Sequence, residues 1–320
     1  MPLDTIPEIQ FETAKKVLDL VMSKENVYDV RAKYRFVRRL LLHRFQRQPR
    51  ICPYCGPSSG LRRICRKRLF MDILQCDVCH LIFRWPTDTP QEHDVYYQQE
   101  YAGDSPQVIL PPPDELCALM QRNFSGSPLD INNKIRVAKA LRPTGRVLDL
   151  GCSWAYGTYQ FTQHGYDATG FEISKPRAEY GRKQLHQKVI ESLDVLYSFP
   201  NGSFDIVYSN HVVEHLPDIR TSFTQLARLL VDDGLVFHVL PNFTGKAARA
   251  GLWLKWIGED HPIAPTIPFF EYAIPASGLQ APTFASGPFD DHLVDTLLHQ
   301  PAAAVSTEGD ELLVIATKSN

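Results

Sequence analysis

The chain has 320 residues, 34 Lys and Arg against 36 Asp and Glu, a formal net charge of −2 and 44% hydrophobic residues. That balance carries no whole-chain signal for nucleic acid or membrane, and the length leaves ample material for one large core with a smaller attachment. No apolar run approaches the roughly 18 residues of a membrane helix, and the start MPLDTIPEIQ lacks the basic and apolar regions of a signal peptide, so a cytoplasmic protein without membrane contact is expected.

From Phe11 to about Gln48, apolar residues recur with helical spacing, at Val17, Leu18, Leu20 and Val21 and again at Phe36, Val37, Leu40 and Leu41. Between Asp29 and Asp72 there are thirteen Arg and Lys and no acidic residue. Residues 1–50 therefore read as a basic helical segment. Its charge either meets phosphate, on RNA, a nucleotide-linked sugar or a lipid head group, or lines a solvated face paired with acidic residues elsewhere.

Residues 51–90 carry Cys52-Pro-Tyr-Cys55 and Cys76-Asp-Val-Cys79, two C-x2-C pairs separated by twenty residues. Each pair sits on a tight turn that aims two sulfurs at one point, and two such knuckles complete a tetrahedral Zn²⁺ shell. Four thiolates leave no open position for water, so the Zn²⁺ is expected to be structural, holding a segment too small to fold alone. Cys65 and His80 are possible substitutes for a ligand but lie outside the paired turns, and in a reducing compartment Cys117 and Cys152 read as ordinary buried thiols. Residues 91–130 are a connector, with the tyrosine-rich DVYYQQEYAGD followed by Pro111, Pro112 and Pro113. Tyr96, Tyr97 and Tyr101 either close over a pocket as a lid or pack as ordinary core.

Residues 131–320 open with a short helix over Asn132–Leu141 and continue into the unit that organises the chain. Val147, Leu148 and Leu150 form a short apolar strand, Gly151 allows a tight exit, a helix comes next, and a second strand, Ala168 to Phe171, ends in Glu172. A carboxylate at that place can accept hydrogen bonds from both hydroxyls of a ribose. The turn has no Lys-Ser/Thr pair and no full G-x-G-x-x-G, since Ser153 and Ala155 hold the second and third small positions. A nucleoside without phosphates fits it better than NAD or ATP.

This stretch resembles the first motif of the class I S-adenosylmethionine-dependent methyltransferases. FDIVYSNHVVEHLPD, the fourth strand and the turn after it, resembles the broad group of that class with E-H-L at this point. Leu229 to Leu240, Leu279 to Ser286 and Leu312 to Thr317 supply the remaining helix end, turn and strands. Asp290 to Leu298 reads as a surface excursion. The resemblance implies an α/β, Rossmann-like fold with a mostly parallel seven-stranded sheet, and S-adenosyl-L-methionine as cofactor. Residue by residue it implies a donor site of Asp149, Gly151, Cys152, Ser153, Ala155, Glu172, Ile173, Asp194 and Asn210.

After the fourth strand, His211 would share one side of an opening helical turn with Glu214 and His215, at spacings of three and four. Methyl transfer from a sulfonium needs alignment and a base for the acceptor's proton, and an imidazole beside a carboxylate suits that task. His215 with Glu214 is the first candidate, His211 the second. Similarity to zinc-ribbon sugar C-methyltransferases implies the same Glu-His pair. Other members of the class bind a divalent ion through E-x-x-E-H and a later histidine, which His261 would supply, but His211 stands here in place of the first Glu. The loop 241–268, with Trp253, Trp256 and His261, is the expected acceptor loop.

The reading is methyl transfer to a small polar metabolite, such as a phosphorylated, nucleotide-linked sugar. The alternatives are an RNA base methyltransferase, whose RNA binding would weaken steeply with salt, and a non-catalytic cofactor-binding protein.

Overall fold

The computed structural model describes residues 27–57, 60–100, 107–251, 253–259, 261–299 and 305–319. The first helix spans Val27–Phe45; the part of the expected helix before residue 27, and Tyr101, lie outside the described residues. Phe36, Val37 and Leu40 on this helix bury against Phe70, Met71 and Ile73 of the cysteine module. That module is an antiparallel meander of β1 (Leu61–Lys67), β2 (Met71–Cys76) and β3 (Ile82–Trp85).

The larger sheet contains β4 (Arg146–Leu150), β5 (Asp167–Phe171), β6 (Lys188–Ile190), β7 (Phe204–Asn210) and β8 (Leu230–Pro241). A short β9 (Ile263–Ala264) joins the small meander instead, and β10 (Thr283–Ser286) and β11 (Glu311–Thr317) complete the large sheet. Its order is β6-β5-β4-β7-β8-β11-β10. The pairs from β6 through β8 are parallel, while β11 runs antiparallel to β8 and to β10. This is the mostly parallel seven-stranded, Rossmann-like sheet that the sequence predicts. The order reverses between β4 and β7, which opens a crevice at the carboxyl ends of these strands, the place where such sheets bind ligands.

Successive residues of the central strands serve opposite faces. Leu148, Val207, Val236 and Val314 point into one core, and Val147, Ile206, Phe237 and Leu313 into the other. The first core also contains Cys52, Tyr54, Leu74, Cys76 and Cys79, so the cysteine module packs directly on one face of the sheet.

Two elements differ from expectation. Asp290–Leu298 is not an excursion: Asp291–His299 is helical, with Leu293 and Thr296 buried. Leu293 and Leu297, four apart, give it an apolar stripe that joins the second core. The turn expected at Asp232-Asp233-Gly234 lies inside β8 as extra residues, where the pairing with β7 shifts from Phe204 with Leu230 to Ile206 with Leu235, and Asp233 takes φ +60°.

Candidate functional site

A cleft of about 880 Å³ opens at the reversal point, running from the β4 and β5 ends across to the first helix and the cysteine module. At its first end the chain leaves β4 through Gly151, φ +69°, where a Cβ would stand 2.4 Å from Val212. Only glycine fits there. Ser153 and Ala155, where the full glycine pattern has glycine, also adopt positive φ, +50° and +68°. Glu172, 6% exposed, lines this end. The Ser153 N–H donates to its Oε2 at 3.0 Å and the Ser174 N–H to its Oε1 at 2.7 Å. Burial raises its pKa, opposed by these donors and by Arg177.

Gly151, Ser153, Ile173 and Asn210 line the same end, and Asn210 Oδ1 accepts from Lys134 Nζ at 2.8 Å. The other predicted donor residues stand back from it. Asp149 is buried behind the turn, where Thr158 Oγ1 donates to it at 2.8 Å and burial pushes its carboxyl up to about 7. Cys152 and Ala155 form a small apolar cluster with Ala178 and Val189. Asp194 is solvent-exposed in the first turn of the helix Leu193–Tyr197; Leu193, not Asp194, lines the cleft.

The middle of the cleft is organised on Glu214. Val213–His215 is a 3-10 turn rather than the start of an α-helix, and His211 precedes it at φ +56°. Glu214 is fully buried, and neither carboxylate oxygen has a hydrogen-bond partner. Three imidazoles nevertheless converge on Oε1: His211 Nδ1 at 3.6 Å, His215 Nε2 at 3.8 Å and His261 Nε2 at 4.0 Å. Burial raises the Glu214 pKa, and His211 and His261 pull it back. The His215 and His261 rings lie 4.8 Å apart. All four predicted catalytic residues are thus together, and Glu214, His215 and His261 are spaced so that they could hold a metal ion.

Sequence reasoning missed two partners here. Glu311 Oε1 accepts from Lys134 at 2.7 Å and pairs with His211 Nε2 at 2.9 Å. Burial opposes its ionisation, yet His211 and Lys134 hold it down to about 2. A signal existed: an antiparallel last strand must begin at the edge where β8 ends, and Glu311 pairs with Pro241. His93 Nε2 lies 3.0 Å from the His215 carbonyl oxygen, and burial lowers its pKa. Nothing local in the sequence marks it. Tyr96 and Tyr97 line the cleft beside it.

The far end is cationic. Lys33, Lys67, Arg68 and Lys255 line it together with Phe36, Phe70 and Trp256. Elsewhere in the basic block, four arginines gather on one fully buried carboxylate, Asp72: Arg66 at 2.7 Å, Arg50 at 2.9 Å, Arg44 at 3.5 Å and Arg63 at 3.8 Å. Burial works to raise the Asp72 pKa, but Arg66 foremost, with Arg44 and Arg50, holds it below the usual range. One carboxylate cannot neutralise four guanidiniums, so this surface keeps a positive surplus. Behind it, the ligand atoms of Cys52, Cys55, Cys76 and Cys79 all lie within 4.8 Å of one another. The Cys55 N–H donates to Cys52 Sγ at 3.3 Å, as in a metal-binding knuckle, and Cys65 and His80 stand outside the cluster. Four converging thiols fit a tetrahedral ion such as Zn²⁺.

Residues 127–271 match a family model described as a methyltransferase domain. The strand order, the turn after β4 and the acid at the end of β5 agree with that match, and this part of the chain has a Rossmann-like methyltransferase fold. Among curated relatives, the uncharacterized methyltransferase YcgJ of Bacillus subtilis is 27% identical over 121 residues, 35% of this chain and 47% of that protein. The ubiquinone biosynthesis O-methyltransferase of Nitrosococcus oceani is 29% identical over 108 residues, 32% of this chain and 46% of its own length. The chain spans about half the length of the curated relatives it matches. A SAM-dependent methyltransferase structure from Archaeoglobus fulgidus is similar over 64% of this chain and 99% of its own, with TM-score 0.46 and 14% identity. No helix among the described residues is long and apolar enough to cross a membrane.

Proposed function

We propose that the chain transfers a methyl group from S-adenosylmethionine to a small polar acceptor, with a phosphorylated, sugar-like metabolite as the class the cleft suits best. The observation that carries this reading is the single cleft with three chemically distinct parts. A near-buried carboxylate, Glu172, stands at one end, the Glu214 imidazole cluster in the middle, and lysines and arginine at the other end. Gly151, Ser153, Glu172, Ile173 and Asn210 would hold the donor, with both ribose hydroxyls on Glu172. Cys52, Cys55, Cys76 and Cys79 would hold a structural Zn²⁺.

The bound donor supplies an electrophilic methyl on a sulfonium whose sulfur leaves neutral. The chain's residues then have two tasks, alignment and removal of the acceptor's proton. His215 takes that proton, and Glu214, 3.8 Å away, becomes the counter-charge of the imidazolium. Because Glu214 is shielded from water, its field on His215 is weakly screened. Lys33, Arg68 and Lys255 meet the acceptor's phosphate.

Glu172→Gln tests the donor end. Charged hydrogen bonds contribute about 1.5–3 kcal/mol each, so calorimetry on the folded variant should show S-adenosylmethionine bound about 10–100-fold more weakly. Unchanged affinity would remove Glu172, and with it the donor assignment.

A second reading has its own observation. The 3.8–4.0 Å from Glu214 to His215 and His261 is too long for hydrogen bonding but close to the roughly 3.4 Å separating tetrahedral ligands about 2.1 Å from an ion. His261 Nδ1 lies 3.1 Å from the Trp256 carbonyl oxygen, which leaves Nε2 facing Glu214, as in metal-binding histidines. Under that reading a chelator that leaves the cysteine-bound zinc in place stops transfer; under the first, transfer continues.

A further inference from the structure

We infer that the cysteine module sets the position of His261, and that Arg84 is the positioning residue through which it does so. Between Leu254 and Ala264 the loop carrying His261 is held to this module. Its β9 adds to the meander as a fourth strand, pairing Phe83 with Ile263 and Ile82 with Ala264. The Arg84 N–H donates to the Pro262 carbonyl at 2.9 Å, one residue from His261. The Arg84 guanidinium, fully buried, donates from Nε to the Gly258 carbonyl at 2.7 Å and through its other nitrogens to the Pro86 carbonyl and Asp88. Gly258 N–H in turn donates to the His261 carbonyl at 3.1 Å. On the loop's other side, Lys67 Nζ donates to the carbonyls of Leu254 at 2.6 Å and Ile257 at 2.5 Å.

Burying a guanidinium is unfavourable unless its donors and charge are fully matched, and here most of the matching partners are backbone carbonyls. Such an arrangement fixes backbone rather than adding apolar cohesion. The segment it fixes is the one that brings His261 Nε2 to 4.0 Å from Glu214. The donor end is built from the ends of β4, β5 and β7 and shares none of these contacts. Loosening the clamp should therefore disturb the chemical step and spare donor binding. This inference deepens the proposed methyl transfer and rests on it for its kinetic arm alone.

The experiment compares the parent with Arg84→Met, which keeps volume and loses the fork, and with Asp88→Asn, a milder change that weakens Arg84's anchoring. Both are checked for bound zinc and cooperative melting. In Arg84→Met the amides of Gly258, bonded to the His261 carbonyl, and Ala264, paired with Ile82, should lose hydrogen-exchange protection, and kcat should fall by up to about 10²-fold. S-adenosylmethionine affinity should stay at the parent's value, with Asp88→Asn shifted the same way by less. Folded, zinc-loaded variants with unchanged protection at Gly258 and Ala264 would overturn the inference, as would a kcat loss accompanied by an equal loss of donor affinity. If the parent itself transfers no methyl group, the methyl-transfer reading fails while the exchange result still decides whether the clamp exists.

Discussion

A His215→Ala variant is expected to transfer methyl groups about 10²- to 10⁴-fold more slowly than the parent, the range for losing a positioned general base, while binding S-adenosylmethionine with nearly the parent's affinity. The separation comes from the site's layout. His215 faces Glu214 and His261 in the middle of the cleft, whereas the contacts assigned to the donor come from Gly151, Ser153 and Glu172 at the ends of β4 and β5. The contact of His93 with residue 215 is to its carbonyl oxygen, so it survives in the alanine variant and the turn keeps that tether. Single-turnover kinetics with saturating donor, alongside calorimetry, measure the two effects separately. Comparable turnover in the variant would remove His215 from the mechanism.

The larger effect on stability is expected from Cys76→Ser. The Zn²⁺ proposed for these cysteines would contribute on the order of 10 kcal/mol to folding, comparable with the roughly 5–15 kcal/mol that holds a whole domain together. Cys76 is fully buried, and the cysteines share one continuous core with Leu148, Val207 and Phe269 of the large unit. Loss of the ion should therefore unravel residues 51–90 and loosen the loop that β9 ties to them. Bound zinc should disappear from the variant, protease should cut within residues 51–90, and melting should move down or split in two. A variant without zinc that melts and resists protease like the parent would show that the cluster is not structural.

Much of the fold is legible in the sequence because short-range rules govern it. Strands buried on both faces show as brief apolar runs, and Gly151 must be glycine, since it adopts positive φ where a Cβ would collide with Val212. The C-x2-C spacing is likewise local geometry. The features hidden from the sequence are long-range. Glu311 reaches His211 across 100 residues, Arg84 reaches Gly258 across 174, and His93 reaches the His215 carbonyl across 122. No spacing rule connects such pairs; only strand order and module packing bring them together. The basic block shows the same limit. Its arginines look alike in the sequence, yet four of them surround Asp72 while Lys33, Lys67 and Arg68 line the cleft. Asp194, implied by the resemblance alone, is exposed, and its neighbour Leu193 is the side chain that lines the cleft.

The most direct test supplies the purified, zinc-loaded protein with methyl-labelled S-adenosylmethionine and a fractionated cell extract, then traces the label. The structure-based reading predicts label in a low-mass, phosphate-bearing fraction and none in RNA, with the signal lost in His215→Ala. Label entering RNA alone, or a parent protein that binds neither the donor nor its demethylated product, would contradict it.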